Sequence, residues 1–387
     1  MNYDLTEEQV AFQDTARKFS ANALAPNTAE WDATAFFPKQ AFIEAGKLGF
    51  MAMYIPEKHH GIGLSRLDSA IIMEELASGC TATAAFISIH NMAFNMLSRY
   101  GSESVIQEWA GDLASGEKLA SYCLTEPDAG SDAASLSTKA EKKSDHYLIN
   151  GTKAFISGAG DTDLLIVMAR TGVEGAKGIS CFAIPADSPG ISYGKKEEKL
   201  GWNSQATRLI HLENVSIPLD NLLAKEGQGF KLAMEGLDGG RINIAACSVG
   251  TAKSTLQHTT AYVKDRKQFK KALSTFQTTQ FKLADMLTEL VAARQMIRLA
   301  AYKLDQNHAD KSAFCAMAKR FATDIGFRVC DEALQLHGGY GYIKEYPIER
   351  HFRDTRVHRI LEGTNEVMRL IIAKHLLSDE NMQLIHA

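Results

Sequence analysis

HYLINGTKAFI, residues 146 to 156, is a short run of β-branched and aromatic residues around an Asn-Gly pair. Such a run, bounded by turn formers, reads as strand. LLIVMAR (164–170), ISCFAIPA (179–186) and TRLIHLENVSIP (207–218) repeat the texture, with Gly, Asp, Asn and Pro between them. Closely spaced short strands form an antiparallel sheet, and residues 120–228 are expected to hold one.

On both sides the chain turns helical. In residues 1–119, Thr6, Glu7 and Glu8 open a first helix with an acidic first turn. The loop IPEKHHGIGLS (55–65) interrupts, and LDSAIIMEELASG (67–79) resumes the helical pattern. TATAAFISIHNMAFNMLSRYG (81–101) is apolar almost all round, so it reads as a buried helix, with His90 a satisfied core residue and not a ligand. After residue 228 come GRINIAACSVGTAKSTLQHTTAYVKDR (240–266), then a helix in which Met286, Leu290, Ala293, Ile297, Ala300 and Leu304 step by three and four. KSAFCAMAKRFATDIGFRVCDEALQLHGG (311–339) follows and ends on a glycine pair. The expected fold is therefore α+β. It has an N-terminal helical domain (1–119), a middle antiparallel β domain (120–228) and a C-terminal four-helix-bundle-like domain (229–387). Without alternating βα units, the GxG triplets at 158–160 and 227–229 lack a dinucleotide-binding context and read as turns.

Composition narrows the function. The length, 387 residues, fits two or three domains at roughly 150 residues each. A formal charge of −4 argues against a broad nucleic-acid-binding face. No apolar run approaches the ~18 residues of a membrane span. The N-terminus MNYDLTEEQVAFQD is acidic and helical in pattern, unlike a signal or transit peptide. That favours a bacterial cytoplasmic protein; a mitochondrial-matrix protein after processing is the eukaryotic alternative. Six scattered cysteines without a CxxC pair point to a reducing compartment and to neither a disulfide framework nor a zinc site.

RVHRILEGTNEVMRLIIAKHLL (356–377) carries the candidate chemistry. Val367, Leu370, Ile371, Lys374 and Leu377 step helically, and Thr364 suits the N-cap. Glu362 then lies on a short turn before a helix start. Apolar surroundings would raise its pKa toward that of a general base. Equally, it could be a solvated turn residue that assists the cap.

YCLTEPDAGSD (122–132), NGTKAFISGAG (150–160), GWNSQATR (201–208), RKQF (266–269), QLHGGYGY (335–342) and LEGTNEVMR (361–369) together resemble the acyl-CoA dehydrogenase family. They stand in the family's order and cover nearly the whole chain. GKKEEKLGWNSQATR, GGRINIAACSVG and RILEGTNEVMRLII carry a closer likeness to members that act on isobutyryl-CoA. The resemblance implies a homotetramer, one FAD per subunit, α,β-dehydrogenation of an acyl-CoA thioester, and electrons passed to an electron-transfer flavoprotein.

It also implies roles. Glu362 matches the base that takes the α proton; the position used by other members holds Gly240, which cannot serve. The enolate would be stabilised by the base residue's own N–H and a ribityl hydroxyl of the flavin. Tyr122, Leu124, Thr125, Gly130, Ser131, Phe155, Ile156 and Ser157 would line the flavin, with Thr125 and Ser157 donating to its ring. Arg266, Phe269, Gln277, Gln335, Gly338 and Gly339 would reach the pyrophosphate and adenine, in part from a neighbouring subunit. Thr364, Asn365 and Glu366 would touch FAD again. Substrate contacts would come from Ser131, Asp238, Arg241, Leu361 and Gly363, although a helix-start charge pair explains Asp238 and Arg241 almost as well. Arg266 has a bland alternative in an ion pair with Asp265, and Thr125 and Ser157 in ordinary turn hydroxyls. Leu361, where some straight-chain members carry Tyr, leaves an aliphatic space suited to a short branched acyl group. Butyryl-CoA, 2-methylbutyryl-CoA, an oxygen-using acyl-CoA oxidase and a non-enzymatic flavin-binding partner are the competing readings. HHGIG (59–63) departs from the paired glycines usual in relatives.

Overall fold

The computed structural model describes residues 4 to 378. Six helices lead: α1 (Glu7–Phe19), α2 (Thr28–Thr34), α3 (Lys39–Lys47), α4 (Arg66–Gly79), α5 (Thr81–Tyr100) and α6 (Glu103–Ser115). Capping boxes start two of them. Thr6 pairs with Gln9 at α1, and Ser65 pairs with Asp68 at α4. The apolar α5 is buried along nearly its whole length, as its all-round pattern predicts. His90 within it is a core residue: Nε2 meets the Leu113 carbonyl at 3.0 Å, and Nδ1 accepts from Ala120 N–H at 3.1 Å.

The middle sheet comprises β1 (Ala120–Cys123), β2 (Lys139–Lys142), β3 (His146–Ser157), β4 (Leu164–Arg170), β5 (Ile179–Pro185), β6 (Ile191–Tyr193), β7 (Thr207–Pro218) and β8 (Leu222–Leu223). Its order is β6-β7-β3-β2-β4-β5-β8, and its hairpins are antiparallel. Two parallel pairings add to the expected pattern. One edge of β4 is shared between β1, along Leu164–Val167, and β2, at Arg170.

α7 (Gly229–Asp265), α8 (Gln277–Asp305), α9 (Lys311–His337), α10 (Ile348–Arg356) and α11 (Asn365–Leu376) follow, with the hairpin strands β9 (Lys267–Gln268) and β10 (Lys271–Ala272) between α7 and α8. α7 is the axis of the molecule: every residue from Gly236 to Ala252 is buried. Small residues permit this. A side chain at Gly250 would meet the Glu74 carbonyl of α4 at 2.1 Å, and one at Gly326 of α9 would meet the Ser248 carbonyl at 2.9 Å. Arg353 of α10 binds Asp32 of α2 at 2.7 Å and the Leu200 carbonyl at 3.1 Å. Helical and sheet segments are thereby clamped together. α2, α3, α6 and α10 lie in stretches where sequence patterning singled out no separate helix.

Candidate active site

Glu362 sits on the turn between α10 and α11, and both it (φ 52°) and Gly363 (φ 86°) are left-handed. That conformation is uncommon for glutamate and is held by its surroundings. Thr364 caps α11 by accepting from Val367 N–H at 3.2 Å. The turn directs the Glu362 side chain onto α7. Its Oε2 lies 2.3 Å from where a Cβ on Gly240 would be, so only glycine leaves room for the carboxylate. The residue as a whole is half-buried, but Oε2 is shut off from solvent and has no hydrogen-bond partner. Burial raises its pKa to about 7, against the opposing pull of Lys319 and then Arg241.

Neighbouring side chains cover the same stretch of α7. Arg66 Nη1 lies 2.6 Å from a Cβ built on Gly239, and its guanidinium sits 3.5 Å over the Tyr54 ring. The Tyr54 hydroxyl, Arg66 Nη1, Arg241 Nε and both amide atoms of Asn243 are buried without partners. A buried polar atom left unpaired costs free energy, so such a concentration marks a place where a polar ligand completes the bonding. Sequence reasoning missed Tyr54, Arg66 and Asn243. Each is an isolated polar residue beside an apolar run, without a motif to flag it.

Asp238 and Arg241 lie mid-helix in α7, not at a helix start, which overturns the helix-start alternative. They pair at 2.6 Å, and Asp238 also accepts from Ser312 Oγ at 2.5 Å. The pair fixes Arg241 beside the Glu362 turn, where Nη2 stands 3.9 Å from a Cβ built on Gly363. Leu361 packs partly buried against the helical core.

The two stretches expected at the flavin come together. A bulge in β3 between Lys153 and Ile156 releases Ala154 N–H from the β7 ladder, and it donates to the Thr125 carbonyl at 2.9 Å. Ser121 Oγ donates to the Ser157 carbonyl at 2.6 Å. The bulge leaves Phe155 left-handed, at φ 55°, with the residue 70% exposed. Behind this surface Lys153 and Glu126 form a buried ion pair at 2.8 Å. Glu126 also accepts from Ser137 N–H (2.6 Å) and Thr138 N–H (2.9 Å), and Lys153 donates to the Leu124 carbonyl (3.2 Å). The loop bearing Leu124, Thr125, Gly130 and Ser131 is therefore clamped to the sheet. Tyr122 lies close enough for the Glu362 charge to act on its hydroxyl, which donates to the Ala233 carbonyl of α7 at 3.4 Å.

Arg266, Gln335, Gly338 and Gly339 meet elsewhere, in a groove of about 540 Å³ also lined by Tyr262, His337 and Tyr340. Arg266 stacks on Tyr340 (5.2 Å) and has no ion pair among the described residues, so the Asp265 alternative does not hold. Nothing stands within 4 Å of a Cβ on Gly338 or Gly339, which leaves an open approach to the backbone. Phe269 projects from the hairpin tip with 88% of its surface exposed, and Gln277 is exposed at the start of α8. A free guanidinium beside bare backbone and aromatic rings fits a phosphate-bearing, ring-bearing cofactor. Twenty-five residues of α7 lie between Gly240 and Arg266, which at 1.5 Å per residue puts the two about 39 Å apart. Among Thr364, Asn365 and Glu366, Asn365 departs from expectation: its amide turns inward, donating to Asp324 (2.9 Å) and Thr323 (3.0 Å). Only its backbone remains for a cofactor.

Comparison with known proteins bears on the fold and the family. Residues 6–117, 121–215 and 227–377 match the acyl-CoA dehydrogenase N-terminal, middle and C-terminal domains. The mitochondrial isobutyryl-CoA dehydrogenase of Dictyostelium discoideum is 54% identical over 97% of this chain and 91% of its own length. That of Bos taurus is 51% identical over 97% and 90%. The structure of butyryl-CoA dehydrogenase from Megasphaera elsdenii superposes with a TM-score of 0.94 at 39% identity, covering 97% of this chain and all of that one.

Proposed function

The chain belongs to the acyl-CoA dehydrogenase family, and from that premise we propose that it oxidises isobutyryl-CoA to methacrylyl-CoA, a step of valine breakdown, with Glu362 as the base. The observation that carries the reading is the buried Glu362 carboxylate seated over Gly240 with an unpartnered oxygen and a pKa of about 7. A carboxylate near neutrality can accept the α proton and still be strongly basic when ionised. The names of two relatives more than half identical to this chain favour the isobutyryl group.

Tyr122, Leu124, Thr125, Gly130, Ser131 and Phe155–Ser157 would hold the flavin ring of FAD. Arg266, Phe269, Gln277, Gln335, Gly338 and Gly339 would hold its pyrophosphate and adenine, with Thr364, Glu366 and the Asn365 backbone at the α11 start. When bound, FAD supplies the acceptor for the hydride leaving the β carbon. Glu362 takes the α proton on its carboxylate, and its own backbone N–H would support the thioester oxygen. Leu361 and Gly363 flank the acyl group, Arg241 and Asp238 fix the edge of the pocket, and Ser131 meets the CoA portion. Gly240, on which the Glu362 carboxylate rests, and Arg266 stand about 39 Å apart along α7, which favours a cofactor shared between copies; the resemblance to the family extends this to a homotetramer. Electron-transfer flavoprotein is the proposed acceptor.

An anaerobic titration following flavin absorbance tests the reading. Isobutyryl-CoA should bleach the protein at about one equivalent per subunit and outperform butyryl-CoA and 2-methylbutyryl-CoA. Preference for another thioester would move the substrate. Glu362→Gln should keep its yellow colour and lose turnover by at least a thousandfold; unchanged turnover removes Glu362 as base.

A further inference from the structure

Lys319, on the third turn of α9, is fully buried. Its ammonium donates to the Gly363 carbonyl at 2.8 Å and to Asn365 Oδ1 at 3.0 Å. Both acceptors are neutral, and no carboxylate lies within 4.0 Å of it among the described residues. A buried ammonium without an ion-pair partner is expensive and uncommon. This one grips the residues on either side of the α11 cap. Thr323 and Asp324, one turn further along α9, hold the Asn365 amide from the other side. α9 therefore secures the strained turn that aims Glu362 at Gly240.

Most of the other charged groups near Glu362 are committed elsewhere. Arg241 of α7 is paired with Asp238. Arg66 of α4 stacks on Tyr54. Asp324 of α9 binds Arg359 and Arg369. Glu366 of α11 is exposed, and Tyr122 of β1 and Cys247 of α7 have thiol or phenol groups that burial keeps protonated. Among the described residues Lys319 and Arg66 are the two cations here without an ion pair, and Lys319 is the one that also hydrogen-bonds the turn carrying the carboxylate.

We infer that Lys319 is a positioning residue for the α-proton base: it locks the Glu362 turn through Gly363 and Asn365, and its ammonium is the counter-charge that lets Glu362 ionise. The inference rests on the reading of Glu362 as base. Burial draws the Lys319 pKa down to about 8, and Lys319 is the charge that most opposes the rise at Glu362.

The experiment uses the FAD-loaded enzyme. Lys319→Met removes charge and hydrogen bonds, whereas Lys319→Gln removes the charge and keeps a donor for the Gly363 carbonyl. Flavin absorbance and sedimentation confirm assembly. The acidic limb of the kcat/KM pH profile should move up by about one pH unit in both variants, with kcat at pH 7 falling about tenfold and KM changing less. Infrared spectroscopy gives a second readout, the protonated-carboxyl band that Glu362→Gln abolishes. It should persist to higher pH in the lysine variants, and it can be read in whichever of them folds. A limb and a band that both stay at wild-type pH overturn the inference. Glu362→Gln, measured alongside, separates the two claims. If it still turns over, the base assignment has failed; if it is inactive while the limb and band stay unmoved in the lysine variants, only the role of Lys319 has failed.

Discussion

Gly240 and Glu362 are 122 positions apart, yet each explains the other. The carboxylate occupies the volume that a side chain on residue 240 would take. In Gly240→Ala the added methyl meets the movable end of Glu362 and not backbone, so the cost falls on geometry more than on folding. The variant should melt within a few degrees of wild type yet lose about a hundredfold in kcat, since a misplaced base of this order costs that much. A full-activity Gly240→Ala enzyme would refute the apposition. Glu362 itself carries a penalty. Its folded pKa of about 7 lies above the ordinary carboxylate value, so its contribution to stability is present below about pH 4.5 and lost as pH rises through 7. Glu362→Gln should therefore gain thermal stability over wild type at pH 8 and not at pH 5, as a calorimetric series would show.

Between β3 and the loop after β1, the Glu126–Lys153 pair holds one element to the other. Burial alone would raise the Glu126 pKa, but the Lys153 ammonium and the Thr138 and Ser137 donors outweigh it and hold the value at about 2. Its stabilising effect is present above the ordinary carboxylate pKa and lost as pH falls toward 2. Lys153→Met leaves that carboxylate buried without its cation and should destabilise the protein by about 3–5 kcal/mol. Denaturant melts at pH 7 measure this. The clamped loop carries Thr125 and Ser131, so FAD affinity should fall as well. Undiminished stability would mean that the loop is held by its backbone bonds alone.

Across the molecule, the residues assigned to one cofactor fall into two groups, one around β1, β3 and the α11 start, the other in the groove beside Arg266. If each FAD is completed by two chains, defects in different groups complement one another. Glu362→Gln and Arg266→Ala homo-oligomers should each be nearly inactive. Co-expressed, they should form mixed assemblies in which some sites combine an intact Glu362 with an intact Arg266 from the other chain. Activity well above the sum of the separate variants supports the shared site, and strictly additive activity refutes it. The exposed rings of Phe155 and Phe269 belong to the same picture, since large apolar groups at 70% and 88% exposure suit contact with a cofactor or second copy.

What the sequence alone determined is local. The strand runs between 146 and 218, the 3-and-4 stepping from Met286 to Leu304, the all-round apolarity of α5 and the Thr364 cap are each written within about twenty neighbouring residues. The backbone responds to such patterns directly. Motif order likewise carried the family and Glu362. Tertiary structure alone decided which distant residues share a space. Lys319 reads as an ordinary helix lysine until α9 buries it against the α11 cap, although its place between the core positions Cys315 and Ala322 was a signal. The Glu126–Lys153 pair, the parallel seat of β1 on β4 and the inward turn of Asn365 were equally hidden. Desolvation and orphaned hydrogen bonds are properties of an enclosure, and an enclosure exists only once elements far apart in the chain have packed.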